Sequence, residues 1–522
     1  MTLMLTLGTA AFGAQKTLPS GKDTGSINVT NLKPGDTVTA YQFVKANYNE
    51  YGFTGYSAIN NYVKDPVAPT AQEVIDMASN AATMTVAAEK KVATGDTEVT
   101  LNGLPVGYYL VMVTSGSETV YSPMIAGIYY SKSATDNTLT NGAISADSDF
   151  EIKAQKCWAK SSTPKLEKTI VTPSSKNSKG DDIAIGDKIT FNLSATVPSY
   201  SKEYKKVTYK IYDIMSEGLD YVDGSMKCFI EKYENNRENI KVAPKVNGGI
   251  IEITFDSKFI LEHPGQKIQV EYQAKLNEKA GVNFDANINK AYLEYSNNPA
   301  SGSTAKTGED KVYVYTFGID SNLFGKSTEK WNEKTKELIK VEEGEYQWVE
   351  TEKESGIFTT TTALEGATFT LTNNKTKKSY TATSDKYGYL KFTGLDAGEY
   401  TLQETDAPDG FTLNDAKHTV VITAEYNQDG TLKSYTIKID DKATSTYTAT
   451  CDKGVIKTIN SKKDSQGNIS ESAILKNSKM SFLPSTGGVG TTIFAIVGVV
   501  FVATALGLHM ILRGKSKLEQ DR

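Results

Sequence analysis

Cysteine is scarce in this chain. Only Cys157, Cys228 and Cys451 occur among 522 residues, and they stand far apart. Such scatter gives no metal-ligand spacing, and a secreted eukaryotic module of this size would more often carry paired cysteines. Histidine is equally rare. His263, His418 and His509 are the whole set, too few to support a Ser–His–Asp or Cys–His arrangement. Excess positive charge is also missing. Lys and Arg total 57 against 62 Asp and Glu, a net charge of −5, so nucleic acid has no electrostatic claim as a partner. No metal, no cofactor and no enzymatic turnover are expected.

Tyrosine, by contrast, is plentiful at 29 copies, and Thr, Val, Ser and Gly are abundant. This composition suits short strands and turns, and the length allows three or four domains. Alternation is clear in KITFNLSATVP, where Ile189, Phe191, Leu193, Ala195 and Val197 share a face. It recurs in KIQVEYQAKL through Ile268, Val270, Tyr272, Ala274 and Leu276. Period-two patterning of this kind predicts half-buried sandwich strands. One helix is expected over 71–82, AQEVIDMASNAA. GLPVGYYLV (103–111) and GLDAGEYTL (394–402) share G-L-x-x-G-x-Y-x-apolar, which predicts related β-sandwich domains towards each end. Seams near CWAKSSTPKLEK (157–168) and KVYVYTFGID (311–320) divide the chain into domains 15–158, 159–312 and 313–479.

Both ends read as targeting segments. Residues 1–14, MTLMLTLGTAAFGA, are expected to be a truncated secretory signal without its basic lead; the alternative is a buried N-terminal strand. Residues 491–512 carry no Lys, Arg, Asp or Glu, enough for a transmembrane helix. Arg513, Lys515 and Lys517 follow at once and mark the cytoplasmic side. The large N-terminal part is therefore expected outside the cell.

Just before that span stands SFLPSTGGVG (481–490). Pro484 fixes φ and pushes Leu483 towards an extended conformation. Gly487 and Gly488 leave the Thr486 carbonyl unhindered. The stretch Leu483, Pro484, Ser485, Thr486 and Gly487 resembles the LPxTG sorting signal of Gram-positive surface proteins, and the order of motif, apolar span and basic tail matches. The resemblance implies that a sortase thiolate attacks the Thr486 carbonyl, releases everything from Gly487 onwards, and passes Thr486 to an amine.

Polar residues on apolar faces are the informative exceptions. Lys168 shares a face with Leu166 and Ile170, Asp213 with Val207, Tyr209 and Ile211, and Asn289 with Ala291, Leu293 and Tyr295. All three fall in the middle domain. Burial lowers a Lys pKa and raises an Asp pKa, so both can be neutral. A neutral amine is a nucleophile, and a protonated carboxyl can stabilise the oxyanion on an Asn amide. The product would be a Lys–Asn isopeptide with loss of ammonia. A buried Lys–Asp ion pair with Asn as spectator, or plain edge positions, fits the periodicity equally well.

The stretches PKLEKTI, IGDKITFNLSATVP, YKIYDIMSEGLDY and NINKAYLEYSNNP resemble the middle domain of Gram-positive pilus backbone subunits. That resemblance implies an autocatalytic isopeptide between Lys168 and Asn289 with Asp213 as the acid. The third domain is similar to the collagen-adhesin B-type domains of these pilins, so the fold expected is three tandem Ig-like or collagen-adhesin-type β-sandwiches followed by a transmembrane helix. YTLQETDAPDGF (400–411) matches their E-box, with Phe411 replacing the last Tyr, and Glu404 lies in phase with Tyr400 and Leu402. Asn477 stands where such domains place the acceptor Asn. The lysine departs from the pattern. The in-phase position after Phe317 and Ile319 is Leu323, and the nearest Lys, Lys326, falls on the other face unless a bulge intervenes. In the first domain the repeat places Val113 where Glu404 stands, so no acid and no bond are expected there.

In the same family a pilin-motif lysine on the last strand of the first domain, ending a Tyr-Pro-Lys sequence, accepts the next subunit. The matching seam is KAQKCWAKSSTP, with Trp158 and Ala159 replacing Tyr-Pro. Lys160 is the best match, with Lys156 and Lys153 as fallbacks. The implied partners are pilus-type and housekeeping sortases, further copies of the chain, and peptidoglycan. The resemblance thus implies a wall-attached covalent fibre. The alternative is a monomeric LPxTG-anchored adhesin in which Lys160 is idle. No D-x-S-x-S metal-adhesion motif occurs, and no ligand site for a host surface is defined.

Overall fold

The computed structural model describes residues 18–476, apart from 116–117, 133–142, 145–149, 172–176, 234–235, 320–323, 328–334, 343–344, 352–363, 386–389, 441, 446, 453–454 and 462–472. Residues 1–14, Asn477, the sorting motif and residues 491–512 lie outside the described residues. Among the described residues no helix is long and apolar enough to cross a membrane.

Strands dominate, and the alternation in the sequence explains why. In Lys188–Thr196 the odd positions Ile189, Phe191, Leu193 and Ala195 are buried, while Lys188 and Thr196 are exposed. Lys267–Leu276 buries Ile268, Val270, Tyr272, Ala274 and Leu276 in the same way. Burying each large apolar side chain contributes about 1.5–3 kcal/mol, so a one-residue register slip would be prohibitive.

Two sheets enclose the central core. One runs Leu166–Ile170, Lys188–Thr196, Lys267–Leu276, Lys227–Tyr233, Asn236–Ile240. The other runs Gly180–Asp182, Asp310–Tyr315, Asn287–Asn298, Tyr209–Met215, Ile250–Thr254, Lys245–Asn247. Their facing side chains form one apolar cluster that includes Phe191, Val270, Ile211, Leu293 and Val312.

Upstream, Gly52–Ala58, Thr37–Asn49, Gly107–Thr114, Met124–Ser131 and Glu151–Ala154 form a sheet. It packs on a second one made by Cys157–Trp158, Thr24–Thr30 and Glu98–Pro105. The expected helix is present as Ala71–Ser79, followed by a short 3-10 turn, Ala81–Thr83. It begins at Thr70 because Thr70 Oγ1 accepts the Glu73 N–H at 3.2 Å and Glu73 Oε2 accepts the Thr70 N–H at 2.8 Å. A second short helix, Ser257–Glu262, is capped by Asp256; its six residues are too few to show a helical period.

Downstream, Ser379–Thr383, Thr368–Asn373, Gly398–Asp406, Lys417–Tyr426, Leu432–Ile439 and Lys442–Ser445 make a sheet. Phe317–Ile319 pairs with Phe392–Leu395 and closes its core. This unit is fastened to the central one through Asp182. Its carboxylate accepts the Tyr426 hydroxyl and the Ala397 N–H, each at 2.5 Å.

Candidate functional site

The three inward polar residues of the central unit meet. Lys168 comes from an edge strand of one sheet, while Asp213 and Asn289 sit on neighbouring strands of the other. All three are 0% exposed. The Lys168 Nζ donates to Asp213 Oδ2. It also donates to the Tyr272 hydroxyl at 3.1 Å. The Tyr272 hydroxyl donates to Asp213 Oδ1 at 2.7 Å and accepts from Asn289 Nδ2 at 2.7 Å. Asn289 Oδ1 is buried and has no hydrogen-bond partner among the described residues, a costly state for an amide that a donor at that oxygen would relieve.

The electrostatics act on the Lys168 amine. Burial pushes the Lys168 amine below the usual lysine range, while the neighbouring Asp213 charge opposes that shift. The rings of Phe191 and Tyr272, with centroids 5.0 Å and 5.3 Å from Nζ, keep water away. One proton moved from Lys168 to Asp213 turns an ion pair into an amine and an acid. An amine, an acid and an amide in one dry cluster are the groups that aminolysis requires.

The backbone of Lys168 is clamped as well. Its N–H donates to Asp310 Oδ2 at 2.7 Å, and its carbonyl accepts Lys179 Nζ at 2.6 Å. Lys179 and Asp310 pair with each other at 2.6 Å. The strand edge is thus satisfied by side chains, and Lys168 has little freedom to swing.

The internal repeat is visible as shared geometry. Tyr109 donates to the Pro105 carbonyl at 2.5 Å, and Tyr400 donates to the Asp396 carbonyl at 2.8 Å. Gly103 and Gly394 precede these corners with φ of 69° and 75°, where a Cβ would be strained. Glu404 is buried at 2% exposure and accepts the Asn414 N–H at 2.7 Å; Val113 takes its place in the first unit. Lys326 lies on Phe324–Ser327, a strand that pairs in parallel with Ala473–Lys476, placing Lys326 opposite Leu475. Phe317–Ile319 has a different partner, so the phase counted from Phe317 does not set the face of Lys326.

At the seam Lys160 and Lys156 are exposed, whereas the Lys153 side chain is buried and lies 3.5 Å from Glu151. The backbone around Lys160 is fixed. Ala159 N–H donates to Thr30 O at 3.0 Å, Asn31 Nδ2 donates to Ala159 O at 2.7 Å, and Ser122 N–H donates to Lys160 O at 3.0 Å. Cys157, two positions before the buried Ala159, is free and buried, and burial pushes its thiol up to about 12. It is not a thiolate at neutral pH. Cys228 is likewise free and buried; the Cys451 side chain lies outside the described residues.

Residues 22–161 match the T6 antigen Ig-like domain, 358–439 the SpaA prealbumin-like fold domain, and 476–517 the LPXTG cell wall anchor motif. The chain is 26% identical to the trypsin-resistant surface T6 protein of Streptococcus pyogenes serotype M6, over 95% of this chain and 96% of that one. The solved T6 backbone pilin of the same serotype is similar in structure, with a TM-score of 0.60 at 21% identity, covering 89% of this chain and all of that one. The full-length major pilin SpaD of Corynebacterium diphtheriae is also similar, with a TM-score of 0.49 at 16% identity over 90% of this chain and 100% of that one. The chain is thus similar to Gram-positive pilus backbone proteins over nearly its whole length.

It is a surface protein attached to the cell wall. Sequence reading missed two parts of its central cluster. Tyr272 was legible only as one more apolar-face residue, although a hydroxyl on a face otherwise made of Ile, Val, Ala and Leu was a usable signal. Asp310 and Lys179 act on main-chain atoms, and no side-chain period reports that.

Proposed function

We propose that this pilin is linked head to tail by sortase and that it braces itself with an internal isopeptide. A sortase thiolate attacks the Thr486 carbonyl, and the Thr486–Gly487 bond breaks to give a thioester. The Lys160 amine of another copy then displaces the thiolate. Transfer to peptidoglycan by a housekeeping sortase ends the fibre on the wall. Lys160 is favoured over Lys156 because its main chain is held on both sides while its ammonium is exposed; burial removes Lys153 from consideration.

In the central unit, Lys168 attacks Asn289 Cγ, Asp213 supplies the acid, and ammonia leaves. The buried Lys168–Asp213–Asn289 cluster carries this reading. In the third unit, Glu404, Lys326 and Asn477 are the corresponding set. The parallel pairing of the Lys326 strand with the strand that runs into Asn477 supports it.

The test is the intact mass of residues 15–479 beside a Lys168→Ala variant corrected for its own residue change. One ammonia fewer in the parent than in the variant supports the central bond. Equal deficits remove it.

A further inference from the structure

Tyr272 does more than fill the core. A phenolic oxygen has one proton to give and two lone pairs, and here all three are engaged. The proton goes to Asp213 Oδ1 at 2.7 Å, and the lone pairs take Lys168 Nζ at 3.1 Å and Asn289 Nδ2 at 2.7 Å. The attacking nitrogen, the departing nitrogen and the acid are thus joined at a single oxygen, which is itself buried.

We propose that Tyr272 is a catalytic residue of isopeptide formation, relaying a proton from Asp213 to the leaving nitrogen of Asn289. This rests on the Lys168–Asn289 bond proposed above. The atoms balance as follows. Lys168 ammonium gives one proton to the Tyr272 hydroxyl as that hydroxyl passes its own to Asp213 Oδ1, and the resulting amine bonds to Asn289 Cγ, opening the carbonyl to an oxyanion. Nδ2 then becomes tetrahedral and offers a lone pair. Tyr272 donates its proton there and recovers one from Asp213 Oδ1. Asp213 takes the surplus proton of the bonded Lys168 nitrogen. The Cγ–Nδ2 bond breaks, the carbonyl re-forms, neutral ammonia departs and Asp213 ends protonated.

Geometry explains why a relay is needed. Asp213 meets Lys168 directly through Oδ2, but no direct hydrogen bond joins Asp213 to Asn289 among the described residues. The tyrosine closes that gap. Burial, and next the Asp213 charge, raise the Tyr272 hydroxyl well above its ordinary range, so it stays protonated and serves as donor rather than base.

The experiment follows ammonia loss by intact mass during pulse–chase synthesis of the full chain in detergent, with the Lys168–Asn289 peptide pair as a second readout. The parent is compared with Tyr272→Phe and with a chain carrying 3-fluorotyrosine at position 272, whose phenol is more acidic but nearly the same shape. A general acid contributes about 10²–10⁴-fold, so Tyr272→Phe is expected to slow the reaction at least about 10²-fold. The fluorotyrosine chain is expected to react several-fold differently from the parent. A parent that never loses the ammonia overturns the isopeptide reading itself. A parent that reacts, with Tyr272→Phe at the same rate, overturns the role of Tyr272 alone. If Tyr272→Phe fails to fold, an unchanged rate in the fluorotyrosine chain overturns the relay.

Discussion

The main-chain N–H of Lys168 is held by Asp310 Oδ2, at 2.7 Å, from a strand 142 residues further along the chain. Lys168 is therefore positioned by a group outside its cluster with Asp213, Tyr272 and Asn289. An acid on the closing strand of the second sheet fixes a lysine on the opening strand of the first.

Replacing Asp310 is expected to loosen the lysine without removing it. In Asp310→Ala the Lys168 N–H and the Lys179 ammonium both lose a partner, at about 1–3 kcal/mol for the unsatisfied donor. Cross-linking should slow several-fold and still reach completion, as intact mass over time would record. A rate equal to that of the parent would show that the edge clamp has no bearing on the reaction.

Asp213→Asn should do something different in kind. It removes the acid and leaves the Lys168 amine buried beside a neutral amide. No ammonia should be lost from the central unit, and breaking a buried pair this way typically costs about 3–5 kcal/mol. Thermal denaturation beside Lys168→Ala separates the two effects, since the double replacement should recover part of the loss.

The junction of the second and third units should respond to pH. Desolvation holds the Asp182 carboxyl up at about 6, against hydrogen bonds from Tyr426 and Ala397 that pull it down, with Asp181 and Asp396 nearby. In the unfolded chain the same group titrates near 4. Its favourable contribution is therefore complete below about pH 4 and falls away as the pH rises to about 6, by on the order of 2 kcal/mol for a partly exposed group. Melting temperature measured from pH 4 to pH 7 should show this fall in the parent and lose it in Asp182→Asn.

Lys160→Ala should abolish the ladder of high-mass polymers expected on denaturing gels of wall extracts, leaving monomer on the wall. Lys156→Ala should leave the ladder unchanged. Persistence of the ladder in Lys160→Ala with its loss in Lys156→Ala would move the junction by four residues.

For the third unit, the parent is expected to lack two ammonia molecules and Lys326→Ala one. A single deficit in both would leave Glu404 with the simpler task of holding the Asn414 N–H.

Much of this was legible in advance, for a physical reason. A sandwich strand must alternate, so a charged residue in phase with Leu166 and Ile170 announces itself. Lys168, Asp213 and Asn289 were visible on that ground, and they do converge. Tyr272 was not, because tyrosine is an ordinary core residue and its hydroxyl is silent in any hydropathy pattern. Asp182 was hidden for another reason: its partners lie 215 and 244 residues away. The face of Lys326 was not legible, because the phase of one strand does not carry into the next when the two strands have separate partners.

A junction at Lys160 would also decide which parts of the chain feel tension. Consider a pull along a fibre joined from Thr486 of one copy to Lys160 of another. The force enters at Lys160 and leaves at Thr486, so residues 18–159 hang beside the taut backbone rather than within it. From Lys160 it reaches Lys168, and a bond to Asn289 would carry it straight across to the strand leading out, leaving residues 169–288 slack. In such a fibre the unit with Val113 in place of an acid would be the one that no pull stretches, and the central unit would shield its own fold by lending the force a shorter route.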